Sequence, residues 1–212
     1  MTISKILGRM LVGIAATFAL ATPAQAALQA RDLNGDTVTD AYFDTDRNIT
    51  WLRDANVNGR MTWAAANTWA AGYSIGIYDD WRLPTALNAD ASGPCGPDFN
   101  CTGSEMGHLW YTELLNTAGS FTNDGDFLNM QSGSYWSGTE YAPSPNVAWY
   151  FITVNGVQTA FSKNFQVNAM AVRPGDVRAA QVPEPESLLL ALTGLGALAL
   201  VRRRRAVGAS AL

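Results

Sequence analysis

Both ends of this 212-residue chain are apolar, and that confines folding to what lies between them. At the start, Lys5 and Arg9 precede an apolar stretch from Met10 to Ala21. Ala24-Gln25-Ala26 then offers the small-x-small pattern at which secretory signal peptides are cut, so cleavage is expected after Ala26. Near the other end, Leu188 to Val201 is a run of 14 residues that spans about 21 Å as a helix. A bilayer core of about 30 Å calls for about 20 residues, so this is a marginal membrane hold. Arg202, Arg203, Arg204 and Arg205 follow as a positive stop that stays cytoplasmic. A buried helix of a globular domain is the other reading, but it would carry a polar stripe, and only Thr193 and two glycines interrupt Leu and Ala here. A chain exported at one end and stalled at the other leaves everything between them outside the cytoplasm.

Removing both ends leaves 27–181, enough for one domain with its own core. Lys5, Arg9 and the four tail arginines leave with the ends, as do Glu184 and Glu186. The domain then holds 8 basic against 16 acidic residues, a net charge of −8. Such a field repels nucleic acid, anionic lipid and polyanionic sugars, so no nucleic-acid partner is expected.

Within the domain, Ala41 to Asp54 reads as a hairpin around the turn Asp46-Arg47-Asn48. Thr62 is an N-cap, an alanine-rich helix follows, and Gly72 is expected just past its end. Asn88 to Gly103 has loop composition. Ser104 caps a second helix running to about Asn116, with Met106, Leu109, Trp110 and Leu114 at helical spacing and Glu105 in the first turn. The last third turns to strands: Ser134 to Glu140, then two β-rich runs joined by Asn155-Gly156, where a type I′ turn is expected, then Ala169 to Gly175, which closes the sheet before Pro174 ends it. Two helices and an antiparallel sheet make an α+β domain.

Few residues here suggest chemistry. Cys95 and Cys101 enclose a small loop of an exported chain, which favours a disulfide contributing about 2 kcal/mol. A metal pair would need more ligands, and the single histidine, His108, stands beyond a helix start. His108 lacks the partners of a triad or zinc motif and reads as a half-buried helix residue. Asp32, Asn34, Asp36 and Asp40 alternate as in a calcium loop, although Thr37 stands where the EF-hand template has Gly and Phe43 where it has Glu. Calcium is the one cofactor these residues suggest; a solvated acidic turn is the plain alternative. Glu105, Glu113 and Glu140 could supply a glycosidase-type carboxylate pair, but nothing selects two of them. Most of the seven tryptophans are expected in the core. Trp136, Tyr141 and Trp149 are nominated as rings that could stack on sugars. The sequons at Asn48 and Asn100 are read as chance.

Val182-Pro183-Glu184-Pro185, the apolar run and the arginine cluster, over 182–206, resemble the PEP-CTERM sorting signal of Gram-negative bacteria; 207–212 is a short tail. The resemblance implies that Pro183, Glu184 and Pro185 are read by an exosortase, a membrane protease-transpeptidase that removes the tag. It also implies a transient stay at the inner membrane on the periplasmic side, then release to the surface or matrix of an exopolysaccharide producer.

The blocks TWLRDANV, MTWAAANTWA, DDWRLPT, SEMGHLWY, YWSGTEY and AVRPG, over roughly Tyr42 to Asp176, resemble the DUF1566 family, named also for the C-terminal domain of a Legionella collagen-like protein. Its members are exported or surface-displayed, and the collagen-like relative is similar to an adhesin that binds glycosaminoglycans, an activity the −8 charge opposes here. Trp81 to Thr85 also looks like the RLPT segment of formylglycine-generating sulfatase-modifying domains, which implies a C-type-lectin-like fold. The calcium-sugar motifs of true lectins and the copper-binding cysteines of the formylglycine enzymes are missing. The expectation is a surface-associated binding or structural module that engages exopolysaccharide or other matrix material and is not an enzyme. An extracellular carboxylate-dependent hydrolase acting on polysaccharide is the alternative.

Overall fold

The computed structural model describes residues 28–177. The signal peptide (1–26), Pro183, Glu184, Pro185, the apolar run and Arg202 to Arg205 lie outside the described residues.

Three strands open the domain, β1 (Leu28–Arg31), β2 (Ala41–Asp44) and β3 (Ile49–Leu52), and the short β4 (Arg60–Met61) leads into helix α1 (Trp63–Gly72). Helix α2 (Glu105–His108) runs directly into one wide π-helical turn, Leu109–Glu113. The strands β5 (Ser134–Glu140), β6 (Val147–Ile152), β7 (Val157–Ser162), β8 (Val167–Asn168) and β9 (Val172–Pro174) complete the domain. They form two sheets, β1-β2-β3-β9 and β4-β8-β5-β6-β7, and the architecture is α+β as expected. All pairings are antiparallel except β5 with β8, which meet in parallel at Tyr135 and Asn168.

The β2–β3 hairpin follows from its turn chemistry. Oδ1 of Asp44 accepts from the N–H groups of Asp46 and Arg47 at 3.0 and 2.9 Å, and Asn48 takes φ 52°, a conformation asparagine tolerates. Thr62 caps α1 through the N–H of Ala65, and buried Ala66 and Ala70 let the helix lie close on the sheet, beside Trp136. Gly72 does not lie past the end: it is the last helical residue, and Tyr73 closes the turn in extended conformation.

Three further expectations change. Ser104 caps α2 through Gly107 N–H at 3.1 Å, but the α-helix lasts one turn before widening. Asn155-Gly156 is no two-residue turn, because Thr153 is buried and its Oγ1 donates inward to Gln131 and Gly133 carbonyls. The strands therefore close at Ile152 and Val157 with four residues between them, and only Gly156 takes positive φ, 83°. Ala169 to Gly175 does not complete the sheet of β5 to β7. Its strand β9 pairs with β3, bringing the two ends of the domain into one sheet, where Arg31 also meets Asp176 at 2.7 Å.

The core falls into three clusters. Trp51, Trp110, Tyr135, Phe151 and Met170 fill one part, Trp136 and Val167 pack under α1, and Trp81 with Val177 closes the third.

Candidate functional site

The end of β2, the end of α2 and the π-helical turn meet at Asp44, His108 and Glu113, whose ligand atoms lie within 4.8 Å of one another. His108 Nε2 is 3.0 Å from Oε1 of Glu113 and 3.7 Å from Oδ2 of Asp44. All three side chains are nearly sealed, with exposures of 0 % for Asp44, 10 % for His108 and 5 % for Glu113. Yet among the described residues Oδ2 of Asp44, Nε2 of His108 and Oε1 of Glu113 have no hydrogen-bond partner in correct geometry, although the Trp51 indole N–H comes near enough to Asp44 to lower it somewhat.

The wide turn makes this meeting possible. Residues five apart on an α-helix point about 140° away from each other, at 3.6 residues per turn. A turn that bonds i to i+5, as Leu114 N–H does to the Leu109 carbonyl at 2.9 Å, stacks such residues on one side. His108 and Glu113 are five apart. Asp44 is aimed from the other side by its own turn, since two backbone N–H groups hold Oδ1 and leave Oδ2 facing the imidazole.

The local chemistry is that of charges pressed together away from water. Burial, with the charges of Asp44 and Asp46 added, pushes the Glu113 carboxyl up to about 7. Burial also raises Asp44, against the Arg47 N–H and His108, and burial lowers His108, against the opposing pull of Asp44. Glu113 lies on the wall of a cleft of about 470 Å³ with Tyr42, Asp46, Asp126 and Phe127. His108 lines a shallower depression on the Arg47 and Asn88 side. The cluster is therefore flanked by two depressions. Sequence reading gave His108 no partners and treated Glu113 only as one carboxylate among three; Asp44 went unnoticed.

The nominated residues divide. Asp32, Asp36 and Asp40 do come together within 4.8 Å. Their oxygens mostly hold the loop itself: Asp32 accepts from Asn34, Gly35 and Thr37 N–H groups, Asp36 from Val38, and Asp40 from Leu33. Asn34 turns its side chain to the N–H of Asp36. Thr37 takes φ 71°, the conformation for which the calcium-loop template uses glycine. Phe43, at the place of the template's Glu, lies in β2 under Arg31 instead.

Cys95 and Cys101 form the expected disulfide, with Cα atoms 5.5 Å apart. Trp136 corrects its nomination: it is fully buried, and its Nε1 donates to Met61 O, so no ring face is left for a ligand. Trp149 is also buried, with the half-buried Tyr141 at its edge, 5.5 Å between centroids. The exposed aromatic pair lies elsewhere, in Phe161 and Phe165, whose rings meet at 4.4 Å beside Tyr150.

The three glutamates form no shared groove. Arg82 donates to both oxygens of Glu105 at 2.7 and 2.8 Å, and Lys163 donates to Glu140 at 2.6 Å, which leaves Glu113 alone in the cluster. Arg82 thereby explains the Trp-Arg-Leu-Pro-Thr block as a strut. Thr85 caps no helix; its hydroxyl accepts from Leu87 N–H and meets Thr139.

No helix among the described residues is long and apolar enough to cross a membrane. No curated protein matches the chain. Residues 181–205 match the PEP-CTERM protein-sorting motif, which marks the chain for an exosortase-type partner and for export and sorting to the envelope or surface.

Proposed function

We propose that this is an exported binding module, not a catalyst, which its C-terminal signal delivers to the cell surface or matrix of a Gram-negative bacterium to engage exopolysaccharide or other matrix material. The sorting motif at 181–205 carries this reading. The route is export behind the signal peptide, a hold on the periplasmic side of the inner membrane by the short apolar tail, and release by the exosortase. The domain is read as DUF1566-like with a C-type-lectin-like fold; the membership of its first and last strands in one sheet, beside a long stapled loop region, supports that. The binding surface in this reading is the Tyr150, Phe161 and Phe165 ridge, because exposed clustered rings commonly mark contact sites and stack well on apolar ligand faces. Calcium in the Asp32, Asn34, Asp36 and Asp40 loop belongs to the same reading, supported by the three converging carboxylates.

Sedimentation of the purified chain with matrix polysaccharide from the producing organism, with and without calcium, is the test. Retention by the matrix, weakened about tenfold or more by Phe161→Ala with Phe165→Ala, the equivalent of about 1.4 kcal/mol, is expected. No retention on any matrix fraction contradicts it.

One observation favours the hydrolase alternative. Glu113, with its carboxyl near 7 on a cleft wall, is placed as a general acid would be. New reducing ends released from polysaccharide by the natural chain, and not by Glu113→Gln, would establish that reading.

A further inference from the structure

The unpaired atoms at Asp44, His108 and Glu113 carry a second conclusion, independent of the glycan reading. Two carboxylates and one imidazole are packed with almost no access to water, and among the described residues no lysine or arginine donates to the three facing atoms. Buried oxygens of two acidic side chains facing an imidazole nitrogen, all three without a hydrogen-bond partner in correct geometry, form an arrangement that folded proteins avoid unless a cation or further donors sit among them. We infer that Asp44, His108 and Glu113 bind one divalent transition-metal ion of the zinc class, through Oδ2, Nε2 and Oε1.

The spacing fits an ion between them. Two ligands bound at about 2.1 Å stand about 3.0 Å apart when they subtend a right angle at the metal, and about 3.7 Å apart at an angle near 125°. The His108 to Glu113 and His108 to Asp44 separations are 3.0 and 3.7 Å. The donor set selects the class of ion: an imidazole with two carboxylates suits zinc and its neighbours, whereas calcium takes six to eight oxygens. Two carboxylates and a neutral imidazole also balance a doubly charged ion. The shape of the site agrees with its sequence basis, since Asp44 is fixed through its other oxygen by the hairpin turn, and the π-helical turn faces His108 and Glu113 together. Three protein ligands leave one position of a tetrahedral ion free, and Glu113 borders the cleft of about 470 Å³ from which a water or a ligand oxygen can fill it. A Glu113 engaged in this way is not available as the acid of the hydrolase reading.

The test is calorimetric titration of the purified full chain, stripped with a chelator, with zinc alone, together with the visible spectrum of the cobalt-loaded chain. One ion per chain, a rise in unfolding temperature on adding zinc, and the d–d absorption of a four- or five-coordinate cobalt centre are expected. His108→Gln and Glu113→Gln, which preserve size, are each expected to weaken binding by about a hundredfold or more, beyond the 10- to 100-fold loss typical of groups that only support ligands. Asp32→Asn with Asp36→Asn, in the acidic loop, is expected to leave zinc affinity unchanged. No binding heat and no thermal shift in the natural chain would overturn the inference, as would binding lost in the acidic-loop variant and kept in the other two. If the glutamine variants do not fold, the cobalt spectrum of the natural chain decides: an octahedral, all-oxygen signature overturns the site.

Discussion

Glu105 is held by three donors, both terminal nitrogens of Arg82 and the N–H of Thr85 at 2.7 Å, and it ties the loop after Trp81 to the start of α2. Its side chain is 10 % exposed while that of Arg82 is 41 % exposed, so solvent relieves part of the cost when one partner is removed. Glu105→Ala is therefore expected to destabilise by about 2 kcal/mol, below the 3–5 of a fully buried pair, read as a lower urea midpoint. Trp136→Ala, which empties a sealed space under α1, is expected to cost about 3–5 kcal/mol by the same measurement. The Asp80 carboxyl is lowered from 3.8 by its hydrogen bonds to Arg173, against some burial. The folded chain thus keeps Asp80 ionised where the unfolded chain has begun to take up protons. Its stabilisation is complete above about pH 4 and disappears as pH falls through the folded value. Asp80 is 45 % exposed, so the contribution is about 0.2–1 kcal/mol. The stability gap between the natural chain and Asp80→Asn should narrow as pH falls below about 4, and a gap that stays constant on acidification contradicts this account.

At the scale of elements, what was legible was chemistry local to a few residues. Thr62 and Ser104 cap as read because a cap needs only the side chain and the next three N–H groups, and the Asp46-Arg47-Asn48 turn depends on Asp44 two residues before it. The length of α2 and the size of the last turn were not legible, because tertiary contacts set both. The widening after His108 breaks the 3.6-residue period on which the helix was extended to Asn116. The seating of Thr153 beneath Gly133 overrides the two-residue turn that Asn155-Gly156 favours alone. The Asp44, His108 and Glu113 cluster escaped for the same reason twice over: it joins distant elements, and its two helical members share a face only in a π-helical turn. Gly156→Ala tests the turn. The added carbon would take φ 83° and lie 2.5 Å from the Trp110 ring, so a loss of about 1–3 kcal/mol is expected in thermal unfolding.

For the molecule as a whole, compartment and architecture agree. A domain sent out of the cytoplasm carries its two cysteines as one disulfide, and a net charge of −8 suits a surface that stays soluble beside neutral polymers and repels polyanions. Cys95→Ser with Cys101→Ser is expected to lower stability by about 2 kcal/mol without changing the fold, measured by chemical unfolding and circular dichroism. The class of the fold could be read from the order of helices and strands; its division into two sheets could not, because β9 crosses back to β3 by a contact that no local pattern announces. The central claim is that the C-terminal signal sends this domain to the cell surface. Fractionation of the producing cells, with mass spectrometry of the protein recovered, tests it most directly. The account predicts a chain trimmed at both ends, in the surface or matrix fraction, with Cys95 and Cys101 joined. An untrimmed chain in the cytosol with both thiols free would contradict it.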